Sequence, residues 1–196
     1  MQPDSYLIKI RRATSADEQN LIQLQCRAIS ILATSDYRPR QIKALLRSKS
    51  KPRWASEITL IAEIAGSIVG FAALLSSYRT ISAVFVEPHF THQGIGSLLL
   101  QSLEREAISH QVTVLWVSSS LTGRNFYRVN GYSPVETITL VLESSYIPCV
   151  RMKKRLLPIS RAEIIRELIQ LSNALLLICL VIAFFESVAA IATLFW

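Results

Sequence analysis

A chain of 196 residues is long enough for one domain with a full core plus an extension, and its 51% hydrophobic content exceeds what a soluble domain of that size ordinarily carries. Cys26, Cys149 and Cys179 are scattered and odd in number, and the three histidines are equally dispersed, which excludes a disulfide framework or a metal site built on their spacing. The net charge of +7 is local: Arg38, Arg40, Lys43, Arg47, Lys49, Lys51 and Arg53 lie in one stretch without an acidic residue, and the other 14 basic residues balance the 14 acidic ones.

In chain order, Met1 to Arg12 lacks the apolar region of a secretory signal, and Tyr6 to Arg11 alternates as a first strand. Ser15 with Glu18 reads as a capping box before a helix whose apolar positions are Leu21, Ile22, Leu24, Ala28 and Ile29. Pro39 opens a second, basic helix through about Leu46. The plain reading of its charge is a solvated face. The sharper readings are an anionic-lipid contact, an acidic substrate or a nucleic-acid patch, the last disfavoured because the stretch from Arg38 to Arg53 contains no aromatic and Trp54 only follows it.

Ile58 to Glu63 and Ser67 to Ser77 read as strands joined by a tight turn at Ala65-Gly66. Ile81 to Val86 is a further strand, stopped at Pro88, which cannot continue a ladder. Gly94 to Ser109 reads as a helix with Leu98, Leu99 and Leu103 at helical spacing. Val112 to Val117 is a β-branched run, Leu121 to Asn130 a short helix ended by Gly131, and Thr137 to Leu142 and Cys149 to Lys154 are closing strands. This order, β-α-α-β-β-β-α-β-α-β-β, predicts an α/β (α+β) domain with a mixed central sheet flanked by helices.

The most informative stretch is Val84 to Leu100, a strand followed by Glu87-Pro88-His89-Phe90-Thr91-His92-Gln93-Gly94-Ile95-Gly96-Ser97 and an apolar helix. Two glycines at a helix N-terminus let unpaired backbone N–H groups approach an anion, so the segment reads as a phosphate cradle. The plainer alternative is a strand-to-helix turn whose glycines only ease packing.

In this context the segment resembles the coenzyme A-binding motif of the GCN5-related N-acetyltransferases (GNAT), a Gln/Arg-x-x-Gly-x-Gly/Ala turn filled here by Thr91 to Gly96, with Thr91 departing from the usual long polar side chain. A second segment, Ser118 to Tyr132, is similar to the family's Asn/Ser-x-x-Ala-x-x-Phe-Tyr-x-x-x-Gly-Phe/Tyr pattern, with Ser120 at the polar position and Gly123 in place of Ala. The resemblance covers about Leu7 to Leu156, and Ser119-Ser120-Leu121 with the preceding Tyr37-Arg38-Pro39-Arg40-Gln41-Ile42 (Tyr-x-Pro-x-Gln-Ile) resembles a small-molecule-type subgroup, here with a C-terminal hydrophobic extension. It implies the acyl-CoA N-acyltransferase fold, acetyl-CoA as cosubstrate without a metal, and transfer of acetyl to a primary amine of a small molecule or protein.

The same resemblance assigns the pyrophosphate to backbone N–H groups of Thr91, His92, Gln93, Gly94, Ile95, Gly96 and Ser97, with Ser120 nearby. It runs the pantetheine arm along Phe85 and Val86 and makes a backbone N–H at Val86 the oxyanion donor. Tyr127 sits where the family often has a general acid, or else is a packed aromatic, while Phe126 and Tyr132 read as core. Glu87 and Glu63 are alternatives for the base, as is a water chain, with Glu63 read as solvated; His89 and His92 lie on the phosphate side. The alternative function is a catalytically weak coenzyme A-binding or membrane-tethered interaction module.

The chain divides by composition into a domain over 1–156, a basic linker and helix start over 157–173 (Ser160 with Glu163 as a capping box), and an apolar tail over 174–196 whose only ionisable side chain is Glu186. As a helix the tail would reach ~34 Å, enough for a hydrocarbon core of ~30 Å. Lys153, Lys154, Arg155, Arg161 and Arg166 precede it, so the expectation is a cytoplasmic domain anchored to a membrane by this C-terminal helix. The competing reading is a helix buried in a homodimer or against the sheet.

Overall fold

The computed structural model describes residues 7–49 and 57–158, and in the C-terminal region residues 165–166, 169–170, 172–173 and 175–177. Its elements are β1 (Lys9–Arg12), α1 (Glu18–Leu32), α2 (Pro39–Lys49), β2 (Glu57–Ile64), β3 (Ser67–Leu75), β4 (Thr80–Val86), α3 (Ile95–Ser109), β5 (Val114–Ser120), α4 (Arg124–Val129), β6 (Ser133–Leu142) and β7 (Ser145–Arg155), with 3-10 turns at Ser15–Asp17 and Pro88–Phe90. The strands form a seven-stranded sheet in the order β1-β2-β3-β4-β5-β7-β6. Every neighbouring pair is antiparallel except β4 and β5, which run parallel. The chain is thus the mixed sheet flanked by helices that the element order predicts.

Alternation along the strands sorts the core onto two faces. Leu60, Ala62 and Ile64 of β2 and Ala72 and Leu74 of β3 join Ile95, Leu99, Leu100 and Leu103 of α3 in one cluster. Ile61, Phe71, Ala73 and Ala83 point the other way, onto Leu21 and Leu24 of α1. On that second face Ile29, Ala33 and Tyr37 pack with Ile147 and Cys149 of β7, and α2 adds Ile42, Leu45 and Leu46. Gly70 is the close-approach point beneath α3: a Cβ there would lie 3.0 Å from Phe85 O and 3.1 Å from a Leu99 methyl.

The parallel pair is held only at its start. Register pairs join Thr80 to Trp116 and Ile81 to Val117, and Trp116 N–H donates to Arg79 O at 2.9 Å. Beyond Ile81 the strands part. The cause lies on the other side of β4, where the register against β3 slips at Ala73/Leu74 and leaves Ser82 as the extra residue, its hydroxyl donating to Ala73 O at 3.2 Å. A bulge bends and over-twists its strand, and here it turns β4 away from β5. From Ala83 to Val86 β4 pairs with β3 on one edge and has no register partner on the other.

Several boundaries differ from the sequence expectation. The N-terminal cap is Thr14 with Asp17, not Ser15 with Glu18: the Asp17 carboxylate accepts the Thr14 N–H at 2.8 Å and the Thr14 hydroxyl at 2.9 Å. Strand β5 runs to Ser120 because Ser118, Ser119 and Ser120 pair with Arg151, Val150 and Cys149. Strand β6 begins at Ser133, and α4 is six residues long. By contacts the chain divides into a unit of Met1–Leu157 and a unit of Pro158–Trp196. In the second unit residues 165–166, 169–170, 172–173 and 175–177 are helical. The Ser160–Glu163 capping box and nearly all of the 174–196 tail lie outside the described residues, and among those described no helix is long and apolar enough to cross a membrane.

Candidate active site

The parting of β4 from β5 makes a slot, and α3 begins at its mouth. After Glu87, whose N–H still reaches Val69 O at 2.9 Å, the chain makes the Pro88–Phe90 turn and enters α3 through His92 at φ 60° and Gly94 at φ 83°. Gly94 is the N-cap residue and has no side chain to offer. Leu98 N–H finds Gly94 O at 3.0 Å, so the amides of Ile95, Gly96 and Ser97 have no carbonyl behind them in the helix. Uncapped amides and the positive end of a 15-residue helix suit an anion.

The two glycines act differently. A Cβ on Gly94 would meet nothing within 4 Å, so its requirement is the left-handed backbone; a Cβ on Gly96 would stand 3.1 Å from Phe126 Cε2 and 3.6 Å from Val86 Cγ2. Gly96 therefore lets the start of α3 close on α4. Close packing thus accounts for a glycine at position 96, and the left-handed backbone for a glycine at position 94.

The side chains of Thr91 and Gln93 are taken up within the turn. Thr91 is committed internally: its N–H donates to Pro88 O at 3.4 Å and its hydroxyl to the same oxygen at 2.9 Å. Gln93 donates its side-chain amide to His89 O at 3.2 Å. His92 and Gln93 are exposed, Ser97 is half-buried, and Ile95 is buried in the core. Val86 is half-buried on the α3 face. Phe85 lies on the other face, its ring 5.5 Å from that of Phe71. Ser120 Oγ accepts the Gly123 N–H at 3.0 Å and so caps the entry to α4. Gly123 occupies a tight place, with a Cβ there 3.3 Å from the hydroxyls of both Ser119 and Ser120.

Tyr127 on α4 is 6% exposed and stands edge-on to Phe126 and Tyr132, centroids 5.0 and 5.4 Å away. Burial pushes its phenol well above the ordinary value, so it stays protonated. Phe126 is half-buried rather than core. Tyr132 is core with a polar end: its hydroxyl donates to Glu104 Oε1 at 3.1 Å, and Lys154 Nζ donates to both Glu104 oxygens at 2.9 and 2.8 Å. Burial, then the Glu104 charge, raises the Tyr132 phenol as well. This cluster ties α3 to β7 beside Tyr127.

Both carboxylates weighed for the base are held by arginines. Arg27 Nε donates to Glu87 Oε1 at 2.8 Å and Arg27 Nη2 reaches the same oxygen, which raises the Arg27 guanidinium above its ordinary value. Glu63 is not solvated: it accepts Arg11 Nε at 3.0 Å and Nη2 at 2.7 Å, and its side chain is 15% exposed. Arg11 also grips Asp17 with two bonds of 2.8 Å. Those bonds from Arg11 hold the Asp17 carboxyl far below the usual carboxylate range and raise Arg11, Asp17 first and Glu63 second. Arg11, Asp17, Asn20, Arg27, Glu63 and Ser67 line a polar pocket whose charges are compensated within it.

Tyr37, the first residue of the Tyr-x-Pro-x-Gln-Ile segment, had no role assigned from the sequence and is central here. Its hydroxyl donates to Pro148 O at 2.8 Å and accepts the Leu121 N–H at 2.8 Å; burial pushes its phenol up to about 12. Tyr37 lies in the Tyr-x-Pro-x-Gln-Ile segment, which marks the residue but not its partners, and Arg27 lies in no motif; their partners are 84 and 60 positions away in sequence, beyond any local pattern.

A strand pair opened by a bulge, with an uncapped glycine-led helix at its mouth, is the arrangement of an acyl-CoA-dependent transferase. A sequence model of the acetyltransferase (GNAT) domain matches residues 33–156, and the chain belongs to that family of acetyl-CoA-dependent N-acetyltransferases. It is 30% identical over 132 residues to the uncharacterized N-acetyltransferase YafP of Escherichia coli (strain K12), covering 66% of this chain and 83% of that protein. The fold is also that of a GCN5-related N-acetyltransferase structure from Rhodopseudomonas palustris, TM-score 0.71 at 24% identity over 75% of this chain and 94% of that one. The PaiA N-acetyltransferase from Thermoplasma acidophilum, solved in complex with coenzyme A, superposes with TM-score 0.61 at 19% identity over 76% and 99%.

Proposed function

We propose that this chain moves an acetyl group from acetyl-CoA to a primary amine in the β4–β5 slot, with the following division of labour. The N–H groups of Ile95, Gly96 and Ser97 and the turn at His92–Gly94 hold the pyrophosphate. The unpaired edge of β4 at Phe85 and Val86 takes the pantetheine arm as a pseudo-strand. Acetyl-CoA supplies the thioester that the amine nitrogen attacks; the N–C bond forms as the C–S bond breaks. A backbone N–H at Val86 faces the oxygen on which negative charge grows. Tyr127, kept protonated by burial, gives the departing sulfur a proton. The attacking ammonium, with an ordinary pKa near ~10, loses its proton to water or to Glu87.

The observation that carries this reading is the uncapped, glycine-led N-terminus of α3 beside a strand edge freed by the Ser82 bulge. Its test is coenzyme A release measured with a panel of primary amines. One observation favours the second reading, a coenzyme A-binding module with little turnover: Glu87 and Glu63 are both paired with arginines. Acetyl-CoA binding without turnover across the panel selects that reading.

For the 174–196 segment the proposal is a membrane anchor, supported by its run of apolar residues and the cations before it. Full-length protein is expected in a carbonate-resistant membrane fraction, and a chain ending at Leu157 in the soluble one. Both chains in the soluble fraction would make the segment a packing or dimerisation helix.

A further inference from the structure

The segment from Asp36 to Gln41, leading from α1 into α2, is fastened to the β5 side of the open end of the slot, at the chain just after β5 and at β7. Asp36 Oδ2 accepts the Thr122 hydroxyl at 2.7 Å, and Tyr37 Oη accepts the Leu121 N–H at 2.8 Å, just past the end of β5. Tyr37 Oη also donates to Pro148 O at 2.8 Å, and Gln41 Nε2 donates to Tyr146 O at 2.7 Å, both on β7. Gln41 Oε1 closes the turn by accepting the Arg38 N–H at 2.8 Å. Between these anchors stand Arg38 and Arg40, both exposed, and Lys43 follows along α2. The backbone that carries the cations is thereby fixed, with Tyr37 5% exposed at its centre.

Among the described residues, several cations elsewhere in the domain are paired with carboxylates, and others (Lys9, Arg79, Arg105, Arg124, Arg128 and Lys153) are not; what sets Arg38, Arg40 and Lys43 apart is that they stand together on one fastened segment. Arg11 is paired with Asp17 and Glu63, Arg12 with Glu106, Arg27 with Glu87, Arg151 with Glu136 and Lys154 with Glu104. On α2 itself Arg47 meets Glu143 at 3.2 Å. Among the described residues Arg38, Arg40 and Lys43 have no carboxylate partner, and the carboxylate within the turn, Asp36, is taken up by Thr122 and Ser35. Like charges on a pinned backbone repel, and an incoming anion relieves that repulsion.

We propose that the acceptor amine carries an anionic group, a carboxylate or phosphate set apart from its amino nitrogen, which Arg38 and Arg40 hold at the mouth of the slot with Lys43 behind them. The proposal rests on the acetyltransferase reading and names its substrate class. Guanidinium forks match carboxylate and phosphate oxygens two at a time. An anionic lipid surface would engage the face of α2 without any need to staple residues 36–41 to the slot, so the stapling favours the acceptor.

The test compares acceptors that differ in one remote charge: glutamate against glutamine and phosphoserine against serine, with spermidine as a cationic contrast, each with acetyl-CoA and the full-length chain. The acidic member of each pair is expected to have a kcat/KM at least ~10-fold higher at low salt, with the ratio falling as salt rises. In Arg38→Gln/Arg40→Gln the ratio falls toward one while acetyl-CoA affinity, measured by calorimetry, is unchanged. A preference for spermidine or the neutral members, acidic preference that survives in the double variant, or no acetylation of any acidic amine by protein that binds acetyl-CoA overturns the proposal. A double variant that loses only its binding to phosphatidylserine vesicles also overturns it, in favour of a lipid surface. Failure to bind acetyl-CoA at all sinks the acetyltransferase reading instead, so the two failures are told apart.

Discussion

The start of α3 and the short helix α4 meet where Gly96 touches Phe126, and they are built on opposite principles. At the α3 turn the side chains are withdrawn: Ile95 points into the core, Thr91 and Gln93 bond back to Pro88 and His89, and Gly94 has none. At α4 everything rests on side chains, with Tyr127 set by aromatic edges and by the Tyr132–Glu104–Lys154 cluster behind it. A site of the first kind is disturbed through φ and sterics. A site of the second kind is disturbed through chemistry, atom by atom.

The sharpest break in this comparison is Gly94→Glu, which brings a side chain and a negative charge to the amides. Acetyl-CoA binding, followed by calorimetry, is expected to disappear in a folded protein. Gly94→Ala, facing only the left-handed backbone at ~1–2 kcal/mol, should bind weakly but measurably. Unchanged affinity in Gly94→Glu would remove the cradle from this turn.

Tyr127→Phe deletes one oxygen and keeps the ring, so acetyl-CoA affinity should hold while turnover falls ~10²–10⁴-fold. Because burial raises the Tyr127 phenol, the alkaline loss of activity belonging to this group should lie above its ordinary ~10. Wild-type turnover, measured where chemistry limits the rate, would reassign Tyr127 to packing.

Lys154→Met leaves Glu104 buried with only Tyr132 as donor, and should cost ~1.5–3 kcal/mol in urea unfolding. Arg151→Ala removes a pair whose members are each half exposed and should cost less than ~1 kcal/mol. Equal effects would show that the Glu104 cluster contributes no more than surface charge.

The smallest expected effect is on pH dependence. Arg11 depresses the Asp17 carboxyl, so the stability it adds is full above the unfolded value near ~4 and drains away as pH falls below it. The urea midpoint of Asp17→Asn should therefore fall less between pH 5 and pH 3 than that of the parent chain.

Much of the fold was legible because hydrophobic alternation and glycine punctuation marked the elements, and the entry to α3 was legible because Gly94 and Gly96 mark a left-handed turn and a close approach. The parts that were not share a physical cause. Strand β6 is exposed along most of its length, so its first residues, Ser133 to Glu136, carry no alternation to read. Ser118 to Ser120 extend β5 only because β7 pairs with them. The capping box moved one residue because Asp17 answers to Arg11 as well as to Thr14. The Arg27–Glu87 and Lys154–Glu104 pairs join residues 60 and 50 positions apart, which no local pattern encodes.

The Ser82 bulge has a mechanical consequence. With two register pairs between them, the β1–β4 and β5–β6 halves of the sheet meet through a seam instead of a full ladder. If the pantetheine arm lies there as proposed, it would bridge the seam as an added strand. Binding would then strengthen the joint between the two halves of the sheet, so amides of β5 and β7 should exchange with solvent more slowly when acetyl-CoA is present.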